Sequence, residues 1–555
     1  MKIDTDVLVI GGGGAAARAA IEATKNVDKV SLVVKGKLPS GSTIASMAFM
    51  STIVREDDNI DLYYEDTMKG GYNLNNSELV RILAEEAKTA CEDLVKFGTE
   101  FKASRKGALY VVQPSGMSRG RSIGALNHQF MKGLVAEVRK SKIEVIENIM
   151  ITDLLKQDNR VIGAVGFNYK NGQFISISSK AIILATGGLG QIYQNTSMPI
   201  SATGDGYAMA FRIGAELIDM EFTQAMTCVI YPHEIRGLAP PFDGLVRFGA
   251  KFFNGLNERY MEKYEPEKVD NVTRDIACIC GYKEIIGGRA TQHGGLIMDI
   301  SKLPWKAIKN VMPKIYNAYD RLGIDATKTG IEWAPGCHHE MGGLRVNSFC
   351  ESNIEGLFAA GEVIGGVHGA NRLGGNSLTA TQVFGKIAGR SASKYAKSIP
   401  QHQISTDIIE EKKKEIFDIH TREQGISYLD VREKLREIMS KNVWIIKTKE
   451  KLNSALIEIT KLQEGTRDSL KLPEKSYKYL KEAKETLNML EVGEILIYAS
   501  LLRTESRGAH YREDYPKQDD KNWLKNIVIQ KEQEKITWKL VAVKDQVVDI
   551  LPKVD

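Results

Sequence analysis

The stretch from Val7 to Ala20, Val-Leu-Val-Ile-Gly-Gly-Gly-Gly-Ala-Ala-Ala-Arg-Ala-Ala, leaves a chain few ways to fold. Val7 to Ile10 is apolar on both faces, the pattern of a strand covered from both sides. The small residues after the glycines read as a helix. Between them Gly11-x-Gly13-x-x-Ala16 has the spacing of a dinucleotide-binding turn. Gly11 permits the tight turn, Gly13 lets the main chain approach a pyrophosphate, and Ala16 lets the helix lie close to the strand. Amides at the helix start then face the phosphates, where the dipole favours negative charge. A glycine-rich loop can also be a plain turn; a strand before and a helix after favour the nucleotide site.

Val30 to Val34 is a second apolar strand and completes a βαβ unit. It ends at Lys35, where a simple NAD site has a carboxylate for the ribose hydroxyls, which argues against a simple NAD enzyme. Two later strands end in the same small-residue style, Ala181 to Gly188 and Gly356 to Glu362, and Thr203-Gly-Asp-Gly206 opens a helix. Transitions so far apart predict an α/β nucleotide-binding sheet interrupted by an insertion, residues 227–346, that closes over a ligand at the junction. Ser77 to Phe97 reads as an amphipathic helix capped by Asn76 or Ser77, with Leu79, Leu83 and Leu94 on its apolar side. Strands are expected over 145–154, 160–167 and 175–179. Residues 104–121 lack periodicity and read as a loop, solvated or ligand-covering. Beyond about residue 400 the texture is that of charged helices, such as 431–439 and 451–462, and 538–551 alternates like strands.

A chain of 555 residues holds more than one domain. Its 75 basic and 70 acidic residues nearly cancel, which argues against a nucleic-acid surface. No apolar run reaches membrane-spanning length, and Asp4 and Asp6 run straight into the first strand, so no secretory leader is expected. The six cysteines are scattered without a C-x-x-C pair, which reads as reduced cytoplasmic thiols and no iron–sulfur ligand set in this chain. No metal site is expected either: His338 and His339 are adjacent, their side chains should diverge, and no third ligand is in view.

Four further features carry chemistry: Thr273-Arg274-Asp275, Gly336-Cys-His338-His339-Glu-Met-Gly-Gly343, His368-Gly-Ala-Asn-Arg372-Leu-Gly-Gly-Asn376-Ser377-Leu378, and Glu505-Ser-Arg507-Gly-Ala-His510-Tyr-Arg512. Together with Asp66-Thr-x-x-Gly-Gly71, Leu184-Ala-Thr186-Gly187-Gly188, Thr203-Gly-Asp205-Gly206 and Leu357-Phe-Ala-Ala-Gly-Glu362, they stand in one order. In that order the chain resembles the flavoprotein subunit of the fumarate reductase and succinate dehydrogenase family, which includes L-aspartate oxidase.

The resemblance implies an FAD-binding Rossmann-like domain (1–226 and 347–398) split by a capping domain (227–346), then a helical domain (399–496) and a small C-terminal domain (497–555). It implies that Gly11, Gly13 and Gly14 receive the FAD pyrophosphate and that Glu362 holds a ribityl hydroxyl. Ser42, Thr43, Ser377 and Leu378 would lie near the ribityl chain or the isoalloxazine. Lys35, Thr186, Gly187, Asp205, Arg372 and Asn376 join the cofactor set. Reduced FAD passes a hydride from N5 to one carbon of an activated double bond, and the neighbouring carbon then needs a proton. In the family an Arg of the capping domain delivers it, and Arg274 matches that position. His338 and Arg372 match the carboxylate clamps, and Arg372 can hold a carboxylate in a bidentate fork. Asp243 and Arg247 stand where the family has its proton relay. The implied partners are a small dicarboxylate or related acid and an iron–sulfur electron-transfer subunit.

Three departures from the family pattern shape the expectation. Members with covalent FAD attach it through the His of an Arg-Ser-His-Thr turn; here the turn is Ser40-Gly-Ser42-Thr43, which implies non-covalent FAD and favours reduction of the double bond. The family's His-Pro-Thr-Gly after Met-Glu-Phe-x-Gln is replaced by Ala225-Met-Thr227-Cys-Val-Ile-Tyr-Pro-His233-Glu-Ile-Arg236, so Thr227, His233 or Arg236 would have to substitute for one clamp. The flavin-facing Ala-Glu-Gly-Gly is here Ala45-Ser-Met-Ala48. The alternatives are an L-aspartate oxidase, an adenylylsulfate reductase alpha-like enzyme, or an electron-transfer flavoprotein with a diverged substrate site.

Overall fold

The computed structural model describes the chain except residues 104–106, 304, 306, 307, 310, 311 and 544–555. At its centre is a seven-stranded sheet in which Lys2–Ile10 lies between Val30–Val34 and Phe174–Leu184, parallel to both. Ile143–Glu147 extends the Val30–Val34 side in parallel. On the other side Phe174–Leu184 serves two neighbours. Its first half pairs antiparallel with Arg160–Asn168, and its last residues pair parallel with Leu357–Ala359. A strand arriving from about 170 residues downstream therefore joins the same sheet, as an interrupted nucleotide-binding domain requires. Ile10, Val34, Leu184 and Ala359 all end at one edge, and their glycine-bearing continuations gather there.

The helix Gly14–Ala23 is fully buried and rich in alanine because a second helix, Asn376–Ser398, lies against it. A Cβ on Gly385 would stand 2.8 Å from the Ala15 carbonyl oxygen and one on Gly389 2.3 Å from that of Ala19, so the close approach depends on glycine on one side and small residues on the other. Ser77–Lys96 forms as expected, with the Asn76 side chain accepting from the amides of Glu78 and Leu79.

The chain between 223 and 340 builds its own antiparallel sheet, in the order Thr223–Tyr231, Ile331–Glu340, Leu296–Asp299, Lys251–Phe253, covered by the helix Arg274–Ile286. Some expected boundaries fall inside elements. Thr223–Tyr231 runs across position 226, and the unbroken helix Tyr477–Leu502 runs across 496. The expected strand 145–154 is two strands, broken at Asn148 with φ of +62°. The expected strands at 175–179 and 181–188 meet in one, Phe174–Leu184, which pairs along its length with Lys2–Ile10 while the Lys180 ammonium reaches Asp6 at 2.8 Å. Within the expected 104–121 loop, Val111–Val112 pairs with Ser122–Gly124. Of 538–551, Lys535–Ala542 forms a hairpin with Lys525–Glu532, and 544–551 lies outside the described residues. No described helix is long and apolar enough to cross a membrane.

Candidate active site

At the carboxyl edge of the sheet a cavity of about 1380 Å³ runs between the sheet and the 223–340 unit. One end is main chain. Gly11, at φ +145°, could carry no Cβ, which would meet the Ala185 oxygen at 2.2 Å; one on Gly12 would meet Ser40 Oγ at 2.2 Å. Gly13 and Gly14 line the same end, and the Gly14 amide donates to Thr43 Oγ1 at 3.1 Å. Thr186, Gly187, Ser42 and Thr43 are in the wall. Thr186 Oγ1 is buried with no hydrogen-bond partner among the described residues. A second helix start, Ser377 and Leu378, also lines the cavity. Two helix N-termini, a cradle that side chains would fill and an orphaned hydroxyl fit an elongated dinucleotide with anionic phosphates.

Lys35 and Asp205 also line this end, joined at 2.6 Å. Glu485, from the helix Tyr477–Leu502, takes the same ammonium at 2.7 Å, and Asn488 donates to Asp205 at 2.9 Å. Burial disfavours the charge on Lys35, but the two carboxylates outweigh it and raise its pKa. The helical region, in which the sequence shows no chemistry, thus supplies a carboxylate to the cofactor end. Asn376 is placed differently from the other expected cofactor residues. It is fully buried off the cavity, accepting from the Tyr63 hydroxyl at 3.0 Å and donating to Thr67 at 3.2 Å.

The other end is side chains. His338 and His339 both line the cavity although they are consecutive on a strand. The reason is a bulge: Gln224 pairs with His339 and Ala225 with Cys337, leaving His338 as the extra residue. His338 Nδ1 lies 2.8 Å from Ser197 Oγ. Burial, with Arg372 and Arg274 adding to it, holds the His338 pKa well below the usual imidazole range. Arg372 is buried in the cavity wall, with Nη1 donating to the Leu373 oxygen at 3.1 Å and Nη2 to Gln224 Oε1 at 2.9 Å. Arg274 starts its helix, and its Nη2 comes within 3.4 Å of where a Cβ of Gly374 would stand. The guanidinium from the insertion therefore reaches the turn that follows Arg372. Glu362 faces the cavity with Oε1 accepting from the Glu340 amide at 3.1 Å and 3.3 Å from His339 Nδ1; burial pushes its pKa up to about 7.

A model of the FAD binding domain matches residues 6–378, and one of the fumarate reductase flavoprotein C-terminus matches 432–554. The chain belongs to the fumarate reductase and succinate dehydrogenase flavoprotein family. It is 38% identical over 531 residues to an uncharacterised FAD-dependent oxidoreductase of Methanocaldococcus jannaschii, covering 95% of this chain and 96% of that one. It is 37% identical over 541 residues to a subunit of the fumarate reductase (CoM/CoB) of Methanothermobacter marburgensis, covering 96% and 98%. A point-mutant structure of Escherichia coli quinol fumarate reductase superposes with a TM-score of 0.90 at 26% identity, covering 100% of this chain and 98% of the other.

As a member of this flavoprotein family, the protein is an FAD-dependent oxidoreductase. Of the residues in which it departs from the family, Ser42 stands in the cavity wall. His233 and Arg236 are exposed and Thr227 is fully buried; none of the three lines the cavity, so none supplies the missing clamp. From that segment the described wall residues include Met226, Leu238, Phe242 and Phe248. Asp243 and Arg247 lie on the short helix Phe242–Arg247, and their side chains are outside the described set. Sequence reasoning missed Lys314, whose ammonium crosses from the helix Pro313–Arg321 to the carbonyls of Ala45 at 3.0 Å and Ser46 at 2.6 Å. It also missed Gln224 and Ser197, ordinary polar residues that gain meaning only through their partners.

Proposed function

We propose that the protein is the flavoprotein subunit of a fumarate reductase-type enzyme that interconverts an unsaturated and a saturated dicarboxylate. The observation that carries this reading is that two guanidinium groups, Arg274 from the insertion and Arg372 from the sheet domain, line one cavity with His338, Arg274 Nη2 standing 3.4 Å from where a Cβ of Gly374 would be. FAD, held non-covalently by Gly11, Gly13, Gly14, Ser42, Thr43, Glu362, Ser377 and Leu378, supplies the hydride chemistry when bound. Arg372 holds a substrate carboxylate. His338 contributes hydrogen bonding rather than charge: in the tautomer whose Nδ1 accepts from Ser197, the neutral ring carries its proton on Nε2 and can donate it to the same carboxylate. Positive charge at this end stabilises the carbanion character that develops as the double bond is reduced. Arg274 delivers the proton. A guanidinium does not give up its proton to water, so it acts only as a positioned donor resupplied by neighbours, the role assigned to Asp243 and Arg247.

Electrons arrive from a separate chain or donor. An iron–sulfur subunit is the natural partner, and the name of the M. marburgensis relative points to a thiol-linked variant. The apolar residues where the family's His-Pro clamp is missing favour a second reading on one point, an acceptor bulkier or less charged than fumarate.

Anaerobic reoxidation of the dithionite-reduced holoprotein by fumarate and other enoates tests the proposal. Fast reoxidation is expected, falling roughly 10²–10⁴-fold in Arg274→Ala with flavin content unchanged. Indifference to every enoate would overturn it. Acid precipitation should leave all flavin in the supernatant.

A further inference from the structure

Gln224 lies near the start of the strand Thr223–Tyr231, which leads into the 223–340 unit, and is 4% exposed. Its Nε2 donates to the Arg372 main-chain oxygen at 2.9 Å and to Asn371 Oδ1 at 2.7 Å, while its Oε1 accepts from Arg372 Nη2 at 2.9 Å. The amide cannot be turned over without setting its NH₂ against a guanidinium donor and its oxygen against a carbonyl. Gln224 therefore grips Arg372 at both ends, backbone and guanidinium, in one orientation. The same residue pairs with His339 across the bulge that presents His338 to the cavity.

The geometry assigns Gln224 as the positioning residue of the carboxylate clamp. It fixes the azimuth of the Arg372 fork and ties it to the bulge carrying His338, so that the two groups meet a carboxylate as one unit. Fork geometry gives Arg its advantage for carboxylates, and a fork free to rotate loses much of it. This assignment rests on the reading of Arg372 as a substrate clamp given above.

The test uses the holoprotein and two variants, Gln224→Met, which keeps the volume without the hydrogen bonds, and Gln224→Glu. Fumarate and succinate are titrated against the flavin absorption band. Gln224→Met should weaken both about tenfold, consistent with losing one hydrogen bond to a charged group, with FAD content and Tm close to wild type. Gln224→Glu keeps an acceptor for Nη2 but sets an anion on the fork. Its affinity should be lower still near neutral pH, and its deficit against wild type should shrink as pH falls and the new carboxyl protonates. A merely structural role would not produce that pH-dependent recovery. If Met fails to fold, the Glu variant decides. Binding within about twofold of wild type, with no added pH dependence, overturns the assignment alone. A wild-type protein that responds to neither acid overturns the proposed function, and the clamp with it.

Discussion

The two ends of the cavity are built from different materials. The cofactor end is mostly backbone: glycines that admit no Cβ, two helix starts and a hydroxyl awaiting a partner. The proposed substrate end is side chain: two arginines, a histidine that burial holds toward its neutral form, and a bulge that aims it. Backbone recognition tolerates few substitutions and is written in consecutive residues. Side-chain recognition is assembled from strands far apart in the chain and can be rebuilt while the fold stands. Loss of the His-Pro clamp within an otherwise ordered set of motifs is this difference at work.

The contrast can be broken most sharply at Gly11. Alanine there forces a Cβ into the Ala185 carbonyl at φ +145°, a conformation that costs of order 1–3 kcal/mol before the clash is counted. The variant should purify without flavin and with a depressed Tm, whereas Arg274→Ala should keep its flavin. Equal flavin content in the two would erase the distinction between the ends.

Glu362 sits where the ends meet and yields a pH prediction. Its folded pKa of about 7 exceeds the value of an unfolded glutamate, so between roughly pH 4.5 and 7 the unfolded chain binds fewer protons than the native one. The share of apoprotein stability that Glu362 contributes should therefore be lost as pH rises through that window and stay level above it. The total is at most about 3 kcal/mol at 1.36 kcal/mol per unit. Glu362→Gln should flatten the curve, gaining on wild type at pH 8 and not at pH 4. A Glu362→Gln curve that runs parallel to wild type through this window would show that Glu362 is already ionised in the apoprotein.

How far the molecule is legible in its sequence follows the same division. Val7 to Ile10, the four glycines and the distant Leu357-Phe-Ala-Ala-Gly-Glu362 announce the sheet and its ligand edge because each is a local pattern with a local cause. Arg274, His338 and Arg372 can be named through family resemblance, but the register that turns His338 into the wall, Gln224 against His339 with Ala225 against Cys337, is non-local and leaves no local pattern. Adjacency on a strand predicts that His338 and His339 diverge; the extra residue of the bulge puts both in the wall. The Glu485 contact to Lys35 comes from a helix whose sequence reads as charged surface.

Lys314 offers the smallest effect and the finest test of how the ends are coupled. Its ammonium meets the carbonyls that end the short turn Ser42–Ala45, the place where a cation complements a helical C-terminus. The turn carries Ser42 and Thr43 toward the cofactor and continues into Ala45 to Ala48, so one side chain of the capping unit braces the loop lining both ends. The site is half-buried and burial lowers the Lys314 pKa, so the contact is worth on the order of 1 kcal/mol rather than the larger values of enclosed charges. Lys314→Met should speed FAD release about fivefold while moving Tm by only a few degrees, and Lys314→Arg should restore most of the retention. An unchanged release rate would mean that the cofactor end holds FAD without help from the cap, and the two ends would then be independent in energy as well as in material.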